Sequence, residues 1–98
     1  MTMQAATRLG DMASDHDGAP PTPGIEASPN VTIDGIPAMR QGDAFESHAC
    51  PDESEHSRTL AGGSGSVFIN GKPAGRVGDA ISCGGTVIEG SASVIIGD

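Results

Sequence analysis

One phrase recurs along this chain and constrains what it can fold into. Ser28-Pro29-Asn30-Val31-Thr32-Ile33-Asp34-Gly35-Ile36-Pro37-Ala38-Met39-Arg40-Gln41-Gly42-Asp43 and Ser64-Gly65-Ser66-Val67-Phe68-Ile69-Asn70-Gly71-Lys72-Pro73-Ala74-Gly75-Arg76-Val77-Gly78-Asp79 share the pattern S-x-x-V-x-I-D/N-G-x-P-A-x-R-x-G-D. The N-terminus carries only its second half, Ala6-Thr7-Arg8-Leu9-Gly10-Asp11, and the C-terminus only its first, Ser91-Ala92-Ser93-Val94-Ile95-Ile96. Joined in space, the two ends complete a third copy, so the chain reads as three units around a pseudo-threefold axis. The echo begins before the serine: Ile25-Glu26-Ala27-Ser28 resembles Ile88-Glu89-Gly90-Ser91, and Thr59-Leu60 aligns with Thr86-Val87.

Each unit reads as a short hairpin. Val31 and Ile33, Val67 and Ile69, and Val94 and Ile96 alternate onto one face, while Thr32, Phe68 and Ile95 take the other. Thr32 among them predicts that this second face is partly exposed. Asp34-Gly35 and Asn70-Gly71 end the strands, and such dipeptides favour the positive φ angles of a tight turn. The following Pro-Ala then opens the return strand at an edge, where a missing N–H costs least. Arg8, Arg40 and Arg76, each three residues before an aspartate, are expected to pair with Asp11, Asp43 and Asp79 or with backbone carbonyls rather than to bind a substrate.

The 98 residues make one domain, 1–98, with two Phe, no Trp and no Tyr, so the core is thin and a staple is expected. Fifteen Gly and seven Pro disfavour long helices and favour short, tightly linked strands. The fold class expected is therefore small and all-β. A formal charge of -8 opposes a phosphate-backbone partner, which excludes nucleic acid as the natural ligand. No apolar stretch is long enough to span a bilayer, and the N-terminus lacks the apolar segment of a secretory signal. Export, if it occurs, is then expected to depend on another machine.

The staple is legible in the residues just beyond each Gly-Asp. His16 stands five residues after Asp11, His48 five after Asp43, and Cys83 four after Asp79. One possible metal ligand per unit, at equivalent places, points to convergence on the pseudo-threefold axis. Structural zinc takes four Cys or His ligands in a tetrahedron. The fourth is expected from His56, on the acidic polar segment from Phe45 to Gly63 that interrupts the second unit; Cys50 is the substitute. The expected set is thus His16, His48, His56 and Cys83. The spacing matches no standard zinc finger, and the repeat is what makes it significant. A Cys50–Cys83 disulfide is the competing use of the two cysteines.

These residues resemble the PAAR-repeat family, whose Pro-Ala-Ala-Arg phrase stands here as Pro73-Ala74-Gly75-Arg76 and more loosely as Pro37-Ala38-Met39-Arg40. The likeness covers almost the whole chain, with Gly75 and Met39 in place of the second Ala and Gln41 in place of the usual Val. The resemblance implies a small cone, built of short hairpins, that caps the trimeric β-helical spike of a contractile injection machine, either a type VI secretion system or a phage tail. It also implies a structural zinc near the tip held by three His and one Cys.

The function expected is a membrane-piercing tip: a monomer on a trimeric spike protein, made in the bacterial cytoplasm without a signal peptide and delivered by the machine. The target membrane would be met mechanically. Val67, Phe68, Ile69, Val94, Ile95 and Ile96 are expected to build or border the face that meets the spike, by pairing with its open strand edges. An enzyme is not expected, because four protein ligands leave zinc no open position and no nucleophile sits beside an evident base. The rival readings are a secreted zinc-dependent hydrolase or metal-binding effector, and an adaptor carrying a separate toxin.

Overall fold

The computed structural model describes residues 4–14, 20–48, 56–82 and 84–97. Among them there is no helix, and the chain forms ten short strands paired as five antiparallel ladders. Two ladders are the hairpins anticipated from the repeat. In the middle unit β4 (Thr32–Ile33) pairs with β5 (Ile36–Pro37), and in the last unit β8 (Phe68–Ile69) pairs with β9 (Lys72–Pro73). Their turns have positive φ at both central residues, 56° and 77° at Asp34-Gly35 and 54° and 78° at Asn70-Gly71. That pair of angles matches the right-handed twist of the flanking strands.

The third hairpin is assembled from the two ends of the chain. β1 (Gln4–Ala5) pairs with β10 (Ile95–Ile96), Gln4 opposite Ile96 and Ala5 opposite Ile95. Beyond each hairpin the chain makes a second equivalent pairing. β2 (Met12–Ala13) meets β3 (Thr22–Pro23), β6 (Ala44–His48) meets β7 (His56–Thr59), and Ala80 bridges to Thr86.

The three units close into a ring through their backbones. The N–H of Met39 donates to Thr7 C=O at 3.1 Å, that of Gly75 to Met39 C=O at 2.9 Å, and that of Thr7 to Gly75 C=O at 3.1 Å. Bridges Arg8–Ala38, Arg40–Ala74 and Ala6–Arg76 run round the same ring, as do Gly24–Phe45, Leu60–Ile81 and Ala13–Val87. The pseudo-threefold axis inferred from the repeat is thus a closed cycle of backbone pairing, which satisfies main-chain groups that a two-residue strand could not satisfy alone.

The buried apolar residues form two clusters. One gathers Ala6, Ala38 and Ala74 with Ile33, Ile69 and Ile96, two residues from each unit. The other gathers Ala13, Met39, Phe45, Leu60, Ile81 and Val87. The alternation expected along the strands holds where the ladders pair: Ile33, Ile69 and Ile96 are buried, while Phe68 and Ile95 are 57% and 58% exposed. It fails at Val67. Val31 and Val94 pack against the first cluster, but Val67 is exposed.

The interrupting segment of the second unit also differs from the loop expected. Its two arms are strands, β6 and β7, so His48 and His56 stand on a ladder that extends beyond those of the other units.

Candidate metal centre and apolar base

Each unit presents the same polar device, and the sequence pattern explains it. The repeat serine accepts from the N–H three residues on, at 2.9 Å for Ser28–Val31, 2.9 Å for Ser64–Val67 and 2.8 Å for Ser91–Val94. Its own hydroxyl donates across to the turn of a neighbouring unit: Ser28 to Asn70 Oδ1, Ser91 to Asp34 Oδ2 and Ser64 to the Gly97 carbonyl. The D/N position of the pattern therefore serves the next unit. At the split unit a backbone carbonyl takes its place.

The arginines pair with aspartates as expected. Arg40 holds Asp43 through Nε at 2.9 Å and Nη2 at 2.9 Å, and Asp43 also accepts from the Arg40 N–H at 2.8 Å. Arg8–Asp11 and Arg76–Asp79 repeat this arrangement. In every unit Nη1 then reaches the same inter-unit acceptor as the serine: Arg8 to Asp34, Arg40 to Asn70 and Arg76 to Gly97. Hydrogen bonding to Asp43 pushes the Arg40 guanidinium above its ordinary value. The hydroxyls of Ser91 and Ser93, and then Arg8, hold the Asp34 carboxyl below the usual aspartate range.

Thr32, Phe68 and Ile95 occupy equivalent strand positions and all three are exposed. They give the hairpin face three related side chains around the axis.

Of the four metal ligands expected, His16 and Cys83 lie outside the described residues, as does Cys50. The backbones of His48 and His56 are brought together: the two are direct partners across β6 and β7, next to an irregularity between Phe45 and His48. Among the described residues there is no cluster of three or more His, Cys, Asp or Glu that could hold a metal.

The chain on either side of the other two positions is also gathered. Ser14 N–H donates to Thr86 C=O at 2.7 Å, and Thr86 N–H to Ser14 Oγ at 2.9 Å. Ser82 N–H donates to Thr59 C=O, and Thr59 N–H to Ser82 Oγ. So Ser14, two residues before His16, and Ser82 and Gly84, on either side of Cys83, border the same region as β7.

One residue there carries no weight in the sequence alone. Arg58, two after His56, is the largest fully buried side chain described. Its Nη1 donates to Thr22 Oγ1 at 2.7 Å, and its Nη2 to the carbonyls of Ser14 and Gly84. The sole hint in the sequence is a cation following an acidic run.

No curated protein matches the chain. A family model for the PAAR motif matches residues 14–89, the span that holds both complete copies of the phrase and all four expected ligands, and the chain therefore belongs to the PAAR-motif family.

Proposed function

We propose that this chain is a structural tip that caps and sharpens the trimeric β-helical spike of a contractile injection machine, a type VI secretion system or a phage tail, and helps it pierce the target envelope. The observation that carries this reading is the closed threefold cycle of backbone bonds through Thr7, Met39 and Gly75. A single chain gains nothing for its own catalysis by imitating threefold symmetry, whereas a cap for a trimer needs a related edge for each of three partner strands. The exposed positions Thr32, Phe68 and Ile95 supply one contact per unit.

In this reading zinc pins the opposite end. Three imidazoles and a thiolate from His16, His48, His56 and Cys83 form a donor set that suits zinc, and the cross-strand pairing of His48 with His56 is a spacing from which two ligands can meet one ion. Bound there, the ion supplies cross-linking between loops that have no core of their own. It is structural and the protein is not an enzyme. The protein reaches its target on the machine.

The test is reconstitution with a trimeric β-helical spike. One copy per trimer is expected, with binding lost in Phe68→Glu and Ile95→Glu and retained in a surface variant away from the hairpins such as Glu46→Gln, which is exposed on β6. Absence of binding to any such spike, or zinc-dependent hydrolytic turnover, would overturn the reading.

A further inference from the structure

Arg58 is an unusual choice for an interior. It is fully buried, its described acceptors are a hydroxyl and two carbonyls rather than a carboxylate, and its Nε has no hydrogen-bond partner among the described residues. Burying a charge in this way is costly, and an apolar side chain of similar volume commonly stabilises a core as well or better. What an apolar residue cannot do is tie three separate segments with one planar fork. Arg58 does so: the acceptors are on β3, on the strand exit at Ser14, and at Gly84. The backbone is tightly packed at this point, since Gly85 has φ of 89° and an added Cβ there would strike the Ser14 carbonyl that accepts from Arg58 and stand 3.2 Å from Arg58 Nη2.

Those segments are the ones that lead to His16 and to Cys83, and Arg58 itself is two residues from His56. We propose that Arg58 is a positioning residue for the metal centre: it holds the chain before His16, the chain after Cys83 and strand β7 in their binding arrangement before the ion arrives. This rests on the zinc reading of the proposed function. Groups that orient ligands without touching the metal commonly change affinity by about 10–100-fold when removed, and a pre-formed arrangement binds more tightly because less ordering remains to be done on binding.

The experiment is zinc affinity, measured by competition with a chromogenic chelator on the full chain, for wild type, Arg58→Met and Arg58→Lys, with Ile33→Val as a control in the other apolar cluster. Amide exchange of Ser14 and Thr86 in metal-free protein is followed in parallel. Wild type is expected to bind one zinc, Arg58→Met to bind about 10–100-fold more weakly, and Arg58→Lys to fall between them. Protection of Ser14 and Thr86 should fall in the Arg58 variants and persist in Ile33→Val. Should Arg58→Met not fold, Arg58→Lys carries the comparison.

Arg58 variants that hold zinc as tightly as wild type overturn the proposal while leaving the zinc reading intact. An equal loss of affinity in Ile33→Val also overturns it, since Arg58 would then be a general prop. Wild-type protein that takes up no zinc removes both.

Discussion

The carbonyl of Met39 accepts the N–H of Gly75 at 2.9 Å, and the two residues stand at equivalent places where the family phrase has its second Ala. The departure from that phrase is compensated in space. A Cβ on Gly24 would strike the Met39 thioether, and one on Gly75 would meet Leu60 Cδ2 at 2.5 Å and Thr7 Cγ2 at 2.8 Å. Met39 fills the room that Gly24 leaves, and Leu60 fills the room that Gly75 leaves. Large and small residues alternate around the axis so that a pseudo-symmetric backbone keeps a filled core.

Gly75→Ala is accordingly expected to destabilise the fold by about 1–3 kcal/mol through overpacking. Thr7→Ser in the same protein removes one of the clashing methyls and should recover part of the loss. A double-mutant cycle in denaturant unfolding measures this coupling. Additive losses would show that the axial space is not shared.

The three arginine–aspartate pairs should differ in worth. Arg40 and Asp43 are the most enclosed, with side chains 8% and 1% exposed, against 17% and 12% for Arg8 and Asp11. Removing one partner of a buried pair leaves a charge stranded, at about 3–5 kcal/mol. Asp43→Asn should approach that range and Asp11→Asn should cost clearly less, as thermal or urea unfolding would report.

Asp34 should make stability pH-dependent at the acid end. Its carboxyl titrates below the ordinary aspartate range because Ser91 and Ser93 donate to it and Arg8 lies beside it. A lowered folded value means stability that is present above the unfolded value, about pH 4, and lost as pH falls through the folded one. The difference in melting temperature between wild type and Asp34→Asn should therefore be largest near neutrality and shrink below about pH 4. A difference that stays constant down to that range would refute the assignment.

Metal removal gives the fourth expectation. If zinc joins the loops after each Gly-Asp, chelation should lower the melting temperature, and His48→Ala or Cys83→Ala should lower it to the chelated value and no further. Calorimetry with and without chelator checks this, with unchanged melting in both variants as the contrary result. Cys50→Ser should behave as wild type.

The hairpins are legible in the sequence because their determinants are local. Asp34-Gly35 and Asn70-Gly71 select the turn by backbone angle alone, and alternation selects the buried isoleucines. The pairing of β1 with β10 is legible too, since each end carries the missing half of a copy. The ladder beneath His48 and His56 is not, because an acidic segment has no apolar alternation to mark it as strand. Arg58 escapes notice for a similar reason: a lone cation beside acidic residues ordinarily faces water.

The threefold plan, the turns and the Arg–Asp pairs are written in the amino-acid order, because all of them arise from short-range chemistry repeated at fixed spacing. Which unit's arginine and serine meet which unit's turn, how Met39 and Leu60 fill the spaces over Gly24 and Gly75, and that Arg58 lies inside emerge only in the folded chain. Those outcomes depend on side chains from different units competing for one shared volume about the axis, and no single unit contains that information.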